Sequence, residues 1–325
     1  MILAGDVGGT KTHLALYEPA ASVRAPVLER RLRSRDFPTL EALVHEFLAG
    51  APARPSRAVL GIAGPVVEQH VDATNLPWGI GGAALSAELG GVPVLLVNDL
   101  EATARGLPLL DREEVETLHP GAARSGNRAL IAAGTGLGEA LLIWDGRTWR
   151  PSASEGGHVD FAPRDALEDE LLQWLRERHG RVSYERVLSG PGLADLYRFL
   201  GATGRGAATE DVLRRFEAAA DPGVVVSSAA LDGSCARARL ALERFVTIYG
   251  AEAGNLALKA LAVNGVYLGG GIAPRILPFL RSGAFLEAFR DKGRLGPMLA
   301  GIPVTLLRDD RAALWGAALL ARSGA

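Results

Sequence analysis

Leu3-Ala4-Gly5-Asp6-Val7-Gly8-Gly9-Thr10-Lys11-Thr12-His13-Leu14-Ala15-Leu16 reads as an apolar strand, a glycine turn and a second apolar strand. Gly8 and Gly9 have no Cβ, so the backbone there can bend sharply and bring its N–H groups close to a ligand. Asp6 stands at the mouth of the turn. Amide donors, the Thr10 hydroxyl and one carboxylate together suit a metal-bound polyphosphate, with the carboxylate facing the metal through water. A plain glycine hairpin is the competing reading. The segment is not a Walker A loop, which needs glycine directly before its lysine and a helix after it; here Thr10 precedes Lys11 and a strand follows.

Strand and glycine turn recur downstream. Ala129 to Ala133 is an apolar strand, Gly134-Thr135-Gly136-Leu137-Gly138 a glycine turn, and Ala140 to Trp144 a second strand. A third strand, Val266 to Leu268, runs into Gly269-Gly270-Gly271-Ile272-Ala273-Pro274. Two strand–turn–strand units in the two halves predict a duplicated architecture, with one phosphate loop per domain facing a shared cleft. At 325 residues the chain is long enough for about two domains of roughly 150 residues.

Between these landmarks the pattern alternates. Leu40 to Leu48 is an amphipathic helix with Thr39 as N-cap. Ala58 to Ala63 and Pro93 to Val97 are buried strands. The second ends at Asn98-Asp99, before a helix over Leu100 to Arg105 that Gly106 and Pro108 stop. Residues 111–126 read as a polar connection. Residues 165–200 are helical with breaks at Gly180 and Gly190-Pro191, and Ser183 and Ser189 are candidate N-caps. A surface helix lies within 201–221, and the longest helical pattern runs from Leu231 to Val263, where Gly250 and Gly254 permit close packing. A last strand, Ile302 to Leu307, precedes a closing helix over Asp309 to Ala321.

Composition excludes several classes. The chain is 48% hydrophobic and 22% charged with a net charge of −2, so no basic field argues for nucleic acid or an anionic membrane. No apolar run approaches the roughly 20 residues of a membrane span. The chain enters a strand at once, without a basic region or cleavage site, which argues against export. One cysteine, Cys235, excludes an intramolecular disulfide and a Cys-cluster zinc site. A cytoplasmic enzyme is the expected class.

Three glycine turns with isolated carboxylates, and no metal cluster or Ser-His-Asp arrangement, point to phosphoryl transfer, where catalysis is mostly positioning and charge stabilisation. Such a reaction needs a base beside the accepting hydroxyl. Asp99, where a strand passes into a helix N-terminus, is the candidate, with Asn98 holding the same substrate; a mere helix cap is the alternative. In Glu155-Gly156-Gly157-His158-Val159-Asp160 a carboxylate and an imidazole three apart suit adjacent hydroxyls of a sugar. A structural role for His158, and a helix-dipole role for Glu185, stay open at this point.

These segments resemble the bacterial glucokinases of the type without a zinc-cysteine motif, in the superfamily of sugar kinases, actin and chaperone ATPases. The resemblance spans essentially the whole chain. It is carried by Gly5 to Thr10, Thr74-Asn75-x-x-Trp78, Val97-Asn98-Asp99, Gly134 to Gly138, Glu155 to Pro163, Glu185 to Gly192, Gly269 to Ile272 and Asp291-Lys292-Gly293-Arg294. It implies a two-domain α/β ribonuclease H-like (actin-like ATPase) fold with an interdomain cleft, a small domain of 1–109 plus 309–325 and a large one of 110–308. It implies transfer of the ATP γ-phosphoryl group to O6 of glucose with Mg²⁺. By the resemblance Gly5, Asp6, Val7, Gly8, Gly9 and Thr10 form the first phosphate loop, with Asp6 on the metal through water. Gly134, Thr135 and Gly136 begin the second loop, and Gly269, Gly270 and Gly271 lie near the adenosine. Asp99 is the implied base, and Asn98, Asp99, Glu155, His158 and Glu185 the implied glucose ligands. A homodimer involving the long helical region is the implied assembly. Lys11 and Gly64 depart from common family residues. A kinase for mannose, fructose or N-acetylglucosamine is the nearest alternative. A sugar-responsive repressor would carry an added helix-turn-helix ahead of the first hairpin, and a chaperone-type or actin-like ATPase would lack the Glu155/His158 set.

Overall fold

The computed structural model describes residues 1–72 and 77–323; the Thr74-Asn75 part of one expected motif lies outside the described residues. The chain divides into two compact units, one of residues 1–112, 150–153 and 309–325, the other of residues 113–149 and 154–308.

The first unit is built on a five-stranded sheet in the order Leu28–Arg33, Lys11–Tyr17, Ile2–Val7, Arg57–Ile62, Val94–Asn98. The opening hairpin is antiparallel, in a register that sets Asp6 opposite His13, and the next two strands add in parallel. Side chains alternate between faces along each strand. Leu3, Leu14 and Leu60 therefore pack beneath the helix Leu40–Leu48, whose Thr39 accepts the Ala42 N–H as expected of a cap. Ala4, Ala15, Val59 and Val97 face the opposite way, against the closing helix Ala312–Ser323 and its Trp315. A sheet covered on both faces accounts for the near-continuous apolar strands.

The second unit repeats this succession of pairings. The strands of its sheet run in the order Leu137–Trp144, Arg128–Ala133, Gly265–Gly269, Val304–Leu307, Val115–His119. The Arg128–Ala133 and Leu137–Trp144 pair is antiparallel, the next two pairings are parallel, and the last is antiparallel. Its core centres on the 25-residue helix Ala236–Ala260, where Gly250 and Gly254 admit the backbone of the helix Ala284–Arg290, as the sequence reading expected.

Several local expectations are corrected. The supposed polar connection 111–126 contains the edge strand Val115–His119, half-buried and anchored by Arg281 and Arg308 on Glu116. The long helical pattern read from Leu231 to Val263 is the helix Ala236–Ala260, while Leu231 itself ends a separate helix, Pro222–Leu231, that the reading did not place. The second glycine turn is tighter than read, because its return strand already begins at Leu137. Ser189 caps the helix Gly190–Ala202 by accepting the Gly192 N–H, whereas Ser183 precedes only a short 3-10 turn and caps nothing with its side chain. No described helix is long and apolar enough to cross a membrane.

Candidate active site

In the first unit the hairpin turn is closed by the Gly8 N–H donating to the Lys11 carbonyl at 3.1 Å. Gly8 does not adopt the left-handed backbone that only glycine tolerates, so the turn needs small residues for close approach and not for backbone sign. Ser34, which nothing in the sequence singles out, fixes this turn from behind. Its hydroxyl donates to the Gly8 carbonyl at 2.6 Å and contacts the Thr12 hydroxyl at 3.0 Å, and its N–H donates to the Thr10 carbonyl at 3.2 Å. Ser34 and Thr12 are buried, while Gly8 and Gly9 are half-buried and Thr10 is exposed. Gly5 and Val7 lie inside the strand, and the missing side chain of Gly5 leaves room that Leu14 and Leu60 fill.

Asp6 points to the sheet face where the helices Asp99–Gly106 and Ala312–Ser323 begin. Loss of solvent, reinforced by the nearby charges of Asp99 and Asp310, pushes its carboxyl up to about 7 against the opposing pull of Lys11 and Arg31. Asp310 is in turn held by Lys11 Nζ at 2.6 Å and by Arg31 at 2.7 and 3.3 Å. Asp6, Asp99 and Asp310 lie within electrostatic reach of one another with incomplete compensation, which suits a hydrated divalent cation. Among the described residues no three His, Cys, Asp or Glu side chains are grouped to hold a metal ion by themselves. That donor set fits Mg²⁺, which keeps several waters and takes few protein ligands.

Asp99 starts the helix Asp99–Gly106 at the end of the strand Val94–Asn98, close enough to Asp6 to raise its carboxyl. The capping role that competed for Asp99 belongs to Asn98. Asn98 Oδ1 accepts the N–H groups of Leu100 and Glu101 at 3.0 and 3.2 Å, and its Nδ2 donates to the Gly64 carbonyl at 3.1 Å. Asp99 Oδ1 accepts the N–H of the next residue, Leu100, at 2.9 Å. Its carboxyl is thereby oriented without serving as the cap.

In the second unit Glu155, His158 and Glu185 are brought together. Residues 155–161 pair with 182–184 through Phe161 N–H to Val182 carbonyl and Tyr184 N–H to Val159 carbonyl, both 3.0 Å. This pairing delivers Glu185 beside His158. His158 Nδ1 lies 4.0 Å from Glu185 Oε1 and His158 Nε2 lies 3.9 Å from Glu155 Oε2. Glu155 and His158 remain about half exposed, at 51% and 49%, so the group can meet a ligand. Glu185 Oε2 accepts the Leu137 N–H at 3.0 Å, in the space where a side chain at Gly136 would stand.

The second glycine turn sits at a crowded corner. Gly134 N–H donates to the Gly136 carbonyl at 2.8 Å, and the Gly134 carbonyl accepts the Gly190 N–H, at the start of a helix, at 2.9 Å. Thr135 is exposed at the apex. Gly269 ends its strand, and Gly270, in the left-handed region at φ +80°, packs against the Ala133 carbonyl so closely that a Cβ would collide with it. That carbonyl also accepts the Ile272 N–H at 3.2 Å. The 134–136 and 269–271 turns are therefore neighbours, with Gly271 exposed beside them.

One further polar group escaped the sequence reading. Glu139, in the same strand as Leu137, is almost wholly buried behind the 155–158 turn. Its signal was present: a single carboxylate in the apolar run Leu137 to Trp144, at an inward-facing alternate position.

The family model described as Glucokinase matches residues 3–324. The glucokinase of Nostoc sp. is 43% identical over 339 residues, covering 99% of this chain and 98% of that protein. Among solved structures, the glucokinase of an Antarctic psychrotroph is 32% identical with a TM-score of 0.81, covering 99% of this chain and 98% of that one. A ROK-family glucokinase from Streptomyces griseus, solved with glucose and AMPPNP, is 20% identical with a TM-score of 0.68 over 99% of both chains, and shares the fold. The chain belongs to the glucokinase family.

Proposed function

We propose that the chain transfers the γ-phosphoryl group of ATP to O6 of D-glucose, forming glucose 6-phosphate. The observation that carries this reading is the convergence of Glu155 and Glu185 on the His158 ring, each carboxylate within 4.0 Å of it, at an accessible surface. Two carboxylates can each accept sugar hydroxyls and an imidazole can give or take one, a set suited to a polyol and poor for an apolar ligand.

Asn98 and Asp99 complete the hexose contacts in this reading. Asp99 accepts the O6 proton as the bond to phosphorus forms. In a loose transition state the attacking oxygen is weakly bonded, so an aspartate can take the proton late. The turns Gly5 to Thr10 and Gly134 to Gly136 present backbone donors to the phosphates, and Gly269 to Gly271 lies by the adenosine. Asp6 would hold Mg²⁺ through water, and the ion would supply charge neutralisation for the phosphates. Exclusion of water keeps ATP from being hydrolysed in place of the sugar reaction. The enzyme works in the cytoplasm as a homodimer. Leu213, Val224, Leu231 and Leu240, exposed on helices of the second unit, support the dimer.

A coupled assay with glucose and Mg·ATP, run beside mannose, fructose and N-acetylglucosamine, tests the reading. The highest kcat/KM is expected for glucose. Turnover confined to another hexose replaces the substrate, and background rates with every sugar remove the reading.

A further inference from the structure

Behind the Glu155–His158 turn lies a buried charge cluster that phosphoryl transfer does not use. Glu139 is 1% exposed, and among the described residues its Oε1 has no hydrogen-bond partner. Its Oε2 occupies the space where a Cβ on Gly156 would stand, and a Cβ on Gly157 would strike the Leu137 carbonyl. The turn that carries Glu155 and His158 thus rests directly on this strand, with the Glu139 carboxyl as part of its seat.

The groups that face Glu139 are mostly on the helix Ala236–Ala260. Glu252 is fully buried and accepts Asn255 Nδ2 at 2.8 Å and Lys259 Nζ at 3.0 Å. Tyr249, from the same helix, donates to the Ile131 carbonyl at 3.3 Å. The Tyr184 hydroxyl accepts from Asn255 at 3.1 Å, and Lys292 Nζ reaches Asn255 Oδ1 and the Ala251 carbonyl at 2.7 and 2.9 Å. The half-exposed Lys259 is committed to Glu252, and among the described residues no cation forms an ion pair with Glu139. A bare carboxylate at Glu139, buried away from water and near the Glu252 charge, is strongly disfavoured, whereas protonation removes both penalties.

We propose that Glu139 is a positioning residue for hexose binding, held as a neutral acid, and that its ionisation unseats the turn holding Glu155 and His158. The role rests on the sugar-binding reading of those two residues. Burial first, and the Glu252 charge second, push the Glu139 carboxyl up to about 8, which agrees with the geometry.

Calorimetric glucose binding by the wild type and Glu139→Gln at pH 7, 8 and 9 tests this. The amide mimics the neutral acid, so both proteins should bind within about threefold of each other at pH 7. By pH 9 the wild type should lose about tenfold in affinity, as one pH unit beyond the titration implies, while Glu139→Gln should stay level. The wild type alone gives a second readout. In buffers of different ionisation enthalpy at pH 8, glucose binding should take up a fraction of a proton approaching about one half, and none at pH 6. Equal alkaline loss in both proteins, no proton uptake at pH 8, or a folded Glu139→Gln that has lost glucose at pH 7 overturns the positioning role while the sugar site stands. Failure of both proteins to bind glucose at pH 7 removes the sugar reading and the positioning role with it.

Discussion

Glu185 accepts the Leu137 backbone N–H at 3.0 Å through one carboxylate oxygen and leaves the other 4.0 Å from His158. The first contact fixes the side chain on the strand that follows the second glycine turn, and the second aligns it with the imidazole. Glu185→Gln keeps an oxygen for Leu137 but removes the charge from the hexose side. A hydrogen bond to a charged group contributes about 1.5–3 kcal/mol. The kcat/KM for glucose should therefore fall roughly ten- to hundredfold, with the KM for ATP nearly unchanged; steady-state kinetics with each substrate varied in turn check this.

Adjacent glycines should respond oppositely. Gly270 is left-handed and faces the Ala133 carbonyl, whereas Gly271 has open space where its Cβ would be and an ordinary backbone. Gly270→Ala should cost at least about 1–3 kcal/mol from backbone strain alone, and the collision adds to it. Gly271→Ala should leave stability within about 0.5 kcal/mol. Urea unfolding of the two variants separates them.

Burial of Glu139 also sets a pH dependence of stability. Its carboxyl is raised from an ordinary 4.5 to about 8, so the native protein holds a proton that the unfolded chain has released. The stabilisation is complete below pH 4.5 and is lost as pH rises to about 8, with a slope of up to about 1.4 kcal/mol per pH unit. Glu139→Gln should show a shallower decline over that window than the wild type in parallel urea titrations.

Thr39 offers a control remote from the chemistry. Its hydroxyl accepts the Ala42 N–H at 3.2 Å, and Thr39→Ala should cost about 1 kcal/mol with kcat unchanged. Chemical denaturation and the sugar assay measure the two effects.

The sequence reading was strongest where local chemistry decides structure. The opening hairpin, the Thr39 cap, the strand ending at Asn98 and the close packing at Gly250 and Gly254 all follow from alternation, capping or small size, which neighbours in sequence express. It was weakest where partners are distant in sequence. Val115–His119 is polar because it is an edge strand, so its pattern does not separate it from a loop. Ser34 acquires its role only by folding back on Gly8 and Thr12, and Asn98 takes the cap from Asp99 through backbone geometry that residue order does not reveal. The glycine pattern marked the turns, but Gly5 turned out to be filled by neighbouring leucines. The meeting of Glu155, His158 and Glu185 depends on the pairing of 159–161 with 182–184.

The account centres on Asp99 as the base for a bound hexose, with Asn98 supplying the cap that would otherwise occupy it. Glucose 6-phosphate formation by Asp99→Asn, measured at saturating Mg·ATP and glucose alongside calorimetric glucose binding, tests this most directly. The account predicts a fall in kcat of roughly 10²–10⁴-fold, with glucose binding retained. A kcat within a few-fold of the wild type would contradict it.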